Sequence, residues 1–291
     1  MSLVTTYQQV FESIFFECFG HDVEVLDFTM ASAGIINTGT KVVTSEGLFF
    51  VKMNELPVTD FFWQEAENLK FLSRWLSTPQ VVGWGKTQGY QYLVCAFIPE
   101  GEANAKSWSE AGALMANLHR QTADSYGFAE NNYLVATPQD NQPKTDGIDF
   151  LVQNRIIPMM GYCLMEEKIS ISLYKKIEAL CARLSRIIPN EKPALLHGDL
   201  WTGNLIFGSE GKPVFIDPAV YYGYRESELA FTYLFGGFDP AFYEAYLHIF
   251  PLEPGFGERV SIYHIHPLLV HVYYFGPSYI VGLERIINRF S

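Results

Sequence analysis

The sequence predicts an α+β chain of two lobes, a small sheet-rich lobe followed by a larger, mainly helical one. Three observations carry this. β-rich runs crowd the first third around one helical stretch, Pro99-Glu100-Gly101 closes that third with a turn signal, and helical spacing dominates afterwards. The predicted lobes are residues 1–98 and 99–291. A chain of 291 residues, 48% apolar and 18% charged, is long and apolar enough for two cores.

Residues 48–53 (LFFVKM) form an apolar strand preceded by the hairpin turn Ser45-Glu46-Gly47. Residues 60–76 read as a helix, with Phe62, Ala66, Leu69 and Leu72 at three- and four-residue spacing. Residues 90–98 form another strand. In the second lobe, Ser107 with Glu110 makes a capping box for a helix carrying Ala111, Leu114, Met115 and Leu118. The polar stretch 137–147 reads as a surface loop. A helix over 170–188 precedes short strands at the two ends of LLHGDLWTGNLIF and at 213–216. Residues 260–283 hold no Asp, Glu, Lys or Arg and are long enough to span a bilayer. His264, His266, Pro267, His271 and Gly276-Pro277 interrupt them, so two buried helices are expected instead.

Twenty Lys and Arg against 32 Asp and Glu leave a net charge of −12. A general nucleic-acid binder needs a basic stripe, and an anionic membrane attracts basic surfaces, so neither partner is expected. The cysteines at 18, 95, 163 and 181 form no CxxC pair, which fits a reducing compartment. The first Lys or Arg is Lys41, so no signal peptide is expected, and a cytoplasmic enzyme is the reading.

The chemistry concentrates in His197-Gly198-Asp199-Leu200-Trp201-Thr202-Gly203-Asn204, which sets an Asn five residues after an Asp between apolar runs. Val214-Phe215-Ile216-Asp217 then ends a strand on a second Asp. Phosphoryl transfer needs one carboxylate to take the proton of an attacking hydroxyl and hard oxygen ligands to hold Mg²⁺ against phosphates. Asp199 suits the first role; Asn204 and Asp217 suit the second. The kinase pattern H-R-D-x-x-x-x-N matches, with Gly198 in place of the Arg and His197 as a prop for the loop. The bland alternative is a polar turn in which Asp199 and Asn204 form Asx-turns. Lys52 would pair with nucleotide phosphates if Glu65 (or, second, Glu67) on the next helix holds it, the alternative being a solvated edge-strand lysine. The loop Ser32 to Gly39 has two glycines but matches no nucleotide-binding fingerprint.

HGDLWTGN, with FFVKMN at 49–54, PVFIDPAVYYGYRESELA at 213–230 and LFGGFDPAFYEAY at 234–246, resembles the fructosamine kinase (ketosamine-3-kinase) family of the protein-kinase-like fold. The resemblance implies transfer of the ATP γ-phosphate to the 3-hydroxyl of a ketosamine, a small-molecule or protein-linked fructosamine or ribulosamine, in deglycation. It implies Asp199 as proton acceptor, Asn204 and Asp217 as Mg²⁺ ligands, and Lys52 with Glu65 as the phosphate anchor. Ala96, Phe97 and Ile98 become the adenine hinge, and Trp201 and Arg225 neighbours of the sugar. The alternatives are a kinase of another small alcohol, aminoglycoside- or choline-kinase-like, or a catalytically dead nucleotide-binding module. Three departures stand out. The family's GG-[SC]-IN reads Ala33-Gly34-Ile35-Ile36-Asn37, its GHRE-A-D reads Gly223 to Glu228, and its Asp-Trp reads Asp146-Gly147.

Overall fold

Alternating buried and half-exposed side chains build a five-stranded antiparallel sheet from the first third of the chain. The computed structural model describes residues 3–33, 36–55 and 61–290. Helix α1 (Leu3–Phe19) leads into β1 (Val25–Ala33), β2 (Thr38–Thr44), β3 (Gly47–Asn54), α2 (Phe61–Leu72), β4 (Val81–Thr87) and β5 (Tyr90–Ala96). The strand order is β1-β2-β3-β5-β4. Phe11, Ile14 and Phe15 of α1 cover one face of the sheet through Val42, Phe49, Val51, Met53, Tyr92 and Val94. Phe61, Phe62, Ala66 and Leu69 of α2 pack on Leu93 and Cys95.

The later elements are α3 (Ala105–His119), β6 (Asn132–Leu134), β7 (Thr137–Gln139), α4 (Gly147–Leu151), a π-helical turn (Val152–Ile156), α5 (Ile157–Met165), α6 (Ile171–Cys181), β8 (Ala194–Leu196), β9 (Leu205–Phe207), β10 (Pro213–Phe215), β11 (Tyr221–Gly223), α7 (Arg225–Leu234), α8 (Pro240–Ile249), α9 (Phe256–Tyr263), α10 (Ile265–Phe275) and α11 (Ile280–Phe290). Two units result. The first comprises residues 1–104, 133–137 and 205–218; the second comprises 105–132, 138–204 and 219–291. The β9–β10 hairpin therefore belongs with the sheet, tied there by Gly101 N–H to the Phe207 carbonyl (2.7 Å) and Phe215 N–H to the Ser77 carbonyl (2.9 Å). In the second unit α3 packs on α8 so closely that a Cβ on Gly112 would stand 2.8 Å from the Phe242 carbonyl carbon. β8 pairs with β11, Leu196 facing Tyr221.

Several elements differ from their sequence reading. The helix expected over 60–76 is Phe61–Leu72, with Asp60 outside the described residues. At its end the Ser73 amide still bonds the Leu69 carbonyl (3.0 Å), while the Ser73 hydroxyl takes the Lys70 carbonyl (2.8 Å). Helix α3 starts at Ala105, so Ser107 is a buried first-turn residue and not the cap. The strand expected over 90–98 ends at Ala96. Helix 170–188 stops at Cys181, with Ser170 as its N-cap accepting from the Leu173 amide. The stretch 137–147 is no surface loop at its start: Asn141 is 0% exposed. The buried Arg155 explains it, donating to the Asp140 carbonyl (2.7 Å) and Asn141 Oδ1 (2.6 Å). No described helix is long and apolar enough to cross a membrane. His264 and His271 bond the Ala230 and Pro267 carbonyls, each at 2.7 Å. Gly34 and Ile35 of the glycine loop lie outside the described residues.

Candidate active site

The segment from His197 to Asn204 follows β8 directly. At Gly198 the backbone adopts φ +89°, and a side chain there would collide with the Ala219 carbonyl. Both facts explain why glycine stands where the kinase pattern has Arg. Substituting Gly198→Ala is expected to cost about 2 kcal/mol or more of stability, read as a lowered urea midpoint. Ala219 N–H bonds the His197 carbonyl (2.9 Å) and the Asp199 amide donates to His197 Nδ1 (3.3 Å). The fully buried His197 ring thus props the turn that presents Asp199.

Asn204 Nδ2 donates both to the Asp199 carbonyl (2.8 Å) and to Asp199 Oδ2 (2.9 Å). The amide fixes the orientation of the carboxylate. Its own Oδ1 is left as an acceptor, which fits a hard-cation ligand.

Glu228, on α7, supports this loop from beneath. Its Oε2 accepts from His119 Nε2 (2.9 Å) and the His197 amide (2.9 Å), and its Oε1 from the Gly198 amide (2.6 Å). Because an ionised carboxylate only accepts, His119 Nε2 carries the proton, while its Nδ1 meets the Tyr246 hydroxyl at 2.8 Å. Burial pushes Glu228 up, but the His119 bond and charge, His197 and the Gly198 amide outweigh it and hold the carboxyl below its ordinary value. Sequence reasoning missed His119, since nothing local marks a histidine that bonds 109 residues away.

In the first unit, Lys52 on β3 donates to Glu65 Oε1 (2.7 Å) and also pairs with Asp217. Glu67 instead meets Lys70 at the surface. Burial disfavours the Lys52 ammonium, yet the Asp217 and Glu65 carboxylates prevail and raise its pKa above the ordinary lysine value. Asp217 reaches Lys52 from a φ of +56°, a left-handed turn that aspartate tolerates better than most residues. Its side chain is 41% exposed, so one carboxylate edge faces solvent. Asn68 Nδ2 braces the turn through the Pro218 carbonyl (3.3 Å). Of the residues expected to form the adenine hinge, the Ala96 amide bonds the Gln80 carbonyl (2.8 Å) and the Phe97 amide the Leu48 carbonyl (3.2 Å).

Trp201 is 37% exposed, and its indole lies over Gly203, where any side chain would strike it. Phe235 meets it edge-on (6.4 Å) and lies tilted against His271 (4.5 Å), which is tilted in turn against Tyr279 (5.0 Å). Arg225, expected beside the sugar, is engaged within the chain. It is 5% exposed and donates to Glu191 and to the Phe250 and Pro251 carbonyls, stacked 3.8 Å over Phe250. Its donors are committed to holding α7. The departure at Gly147 also has a packing reason: a Cβ there would press on the rings of Tyr126 and Tyr224, which fill the space.

The sequence pattern of the family described as fructosamine kinase matches residues 7–291. An Enterococcus faecium protein named "Probable ketoamine kinase" is 35% identical over 259 residues, 88% of this chain and 92% of that one. An Arabidopsis thaliana protein named "Protein-ribulosamine 3-kinase, chloroplastic" is 29% identical over 281 residues, 93% of this chain and 84% of that one. A solved structure assigned as a fructosamine-3-kinase from Haemophilus somnus superposes with a TM-score of 0.86 at 29% identity, covering 96% of each chain. The match extends through both units and over the loop that carries Asp199 and Asn204. The chain belongs to the fructosamine kinase family and has its protein-kinase-like fold.

Proposed function

We propose that the chain transfers the γ-phosphoryl group of ATP to the 3-hydroxyl of a ketosamine, a fructosamine or ribulosamine adduct of an amine. The observation that carries this reading is the Asp199 carboxylate, oriented by Asn204 Nδ2 at 2.9 Å on a loop whose amides are fixed by Glu228. In this reading Asp199 accepts the hydroxyl proton as the sugar oxygen forms its bond to the γ-phosphorus and the bond to the ADP oxygen breaks. Lys52, kept charged by Glu65 and Asp217, neutralises phosphate oxygens. Asn204 Oδ1 and the Asp217 carboxylate are hard donors of the kind Mg²⁺ accepts. Mg²⁺, when bound, spreads the charge of the β- and γ-phosphates. Trp201 and its aromatic neighbours are the proposed sugar-side surface.

The product places phosphate one carbon from the ketone. Enolisation toward the amine-bearing carbon then expels phosphate, a far better leaving group than hydroxide, and hydrolysis frees the amine. The cytoplasm is the proposed compartment, in keeping with four free cysteines of which three are buried. A coupled ADP-release assay over ribulosamine, fructosamine, an aminoglycoside and choline tests the substrate. Turnover is expected with a ketosamine; turnover only with another alcohol, or with none, rejects the proposal.

A further inference from the structure

The sheet of the first unit has one face sealed by α1, through Val42, Phe49, Val51, Met53 and Val94. Strand alternation puts Lys41, Phe50, Lys52, Leu93 and Cys95 on the opposite face, and the registers Lys41↔Phe50, Phe50↔Cys95 and Lys52↔Leu93 agree. Two lysines thus share one sheet face, and their surroundings differ sharply. Lys52 is held by two carboxylates. Lys41 has no carboxylate partner among the described residues; its ammonium lies 4.9 Å over the ring of Phe97, just past the end of β5.

The spacing between them is informative. Lys41 sits one strand over and two residues along from Lys52, which is about 8 Å at ordinary strand and residue spacings. That is the reach of a nucleoside from its 5′-phosphate to its base. With phosphates at Lys52, the base falls beside Lys41 and Phe97. A carboxylate-free ammonium there finds in the purine a second π-face, which attracts cations as an aromatic ring does. Among the described residues Lys41 thus leaves its charge uncompensated on the same face where Lys52 is compensated by two carboxylates.

We infer that Lys41 holds the purine base of the nucleotide, its ammonium shared between the Phe97 ring and the base. The inference rests on the proposed nucleotide-binding role of Lys52, and its test uses no sugar acceptor. The full-length protein is titrated calorimetrically with AMP-PNP and Mg²⁺, and separately with tripolyphosphate, which has no base. Lys41→Met keeps the aliphatic stem and removes the charge. It is expected to weaken AMP-PNP roughly fivefold to thirtyfold, leaving tripolyphosphate unchanged. Lys41→Arg is expected to restore affinity to within about twofold, cation–π contact being retained. Lys41→Gln serves should the Met variant fail to fold. Unchanged AMP-PNP affinity in a folded variant overturns the inference, and so does an equal loss for tripolyphosphate, which would make Lys41 a phosphate residue. If the unmodified protein binds neither ligand, the kinase reading itself fails.

Discussion

Replacing Asp199 by Asn is expected to lower kcat by about 10³- to 10⁴-fold, the upper range for removal of a positioned general base. Asparagine keeps the size and shape of the side chain. Its amide oxygen can still accept from Asn204 Nδ2, the contact made at 2.9 Å by Asp199 Oδ2. What disappears is a site able to take up a proton. AMP-PNP affinity is therefore expected to change by less than about twofold, since that binding calls on Lys52 and not on proton transfer. Steady-state kinetics beside calorimetry separate the two quantities. A variant that retains full turnover refutes the assignment of Asp199, and one that loses both turnover and nucleotide binding points to a misfolded loop.

The largest expected loss of stability comes from Glu228→Ala. The buried carboxylate accepts from His119 and the His197 amide, both buried, and from the half-buried Gly198 amide. Its removal leaves buried donors without an acceptor, a change expected to cost roughly 3–5 kcal/mol in urea unfolding. The folded pKa of Glu228 lies below the ordinary value of 4.5. The stability that this ionisation supplies is therefore fully present above pH 4.5 and declines as pH falls through the lower, folded value. The difference in unfolding free energy between the parent and Glu228→Gln should shrink over that same interval. A difference that stays constant with pH would show that the carboxylate acts through packing alone.

The sequence makes local chemistry visible and distant chemistry invisible. Asp199 and Asn204 are legible because their contact spans five residues and one turn. The Lys52–Glu65 pair is legible because a strand and the next helix sit thirteen residues apart. Nothing in the sequence announces that Lys52 also meets Asp217, 165 residues away, or that His119 bonds Glu228, 109 residues away. Partners within the chain were invisible in two places. The stretch around Asn141 looks solvent-bound, yet Arg155 supplies the donors that let it be buried. Arg225 looked available to a sugar by resemblance, but Glu191 and two carbonyls occupy it. In both cases charge alone cannot reveal whether its partner is water, substrate or the chain itself. The end of α2 shows a smaller local effect, the Ser73 hydroxyl taking the Lys70 carbonyl that helical spacing would have given to the next amide.

The chain passes between the units at residues 104/105, 132/133, 137/138, 204/205 and 218/219. No single cut, therefore, yields either unit intact. A fragment of residues 1–104 would carry Lys52 and Glu65 but lack the hairpin and Asp217, leaving a buried cation with half its counter-charge. Swapping the first unit of such an enzyme for that of a relative must therefore transplant residues 133–137 and 205–218 as well. Split-protein reporters are better severed inside one unit than at the boundary at residue 104.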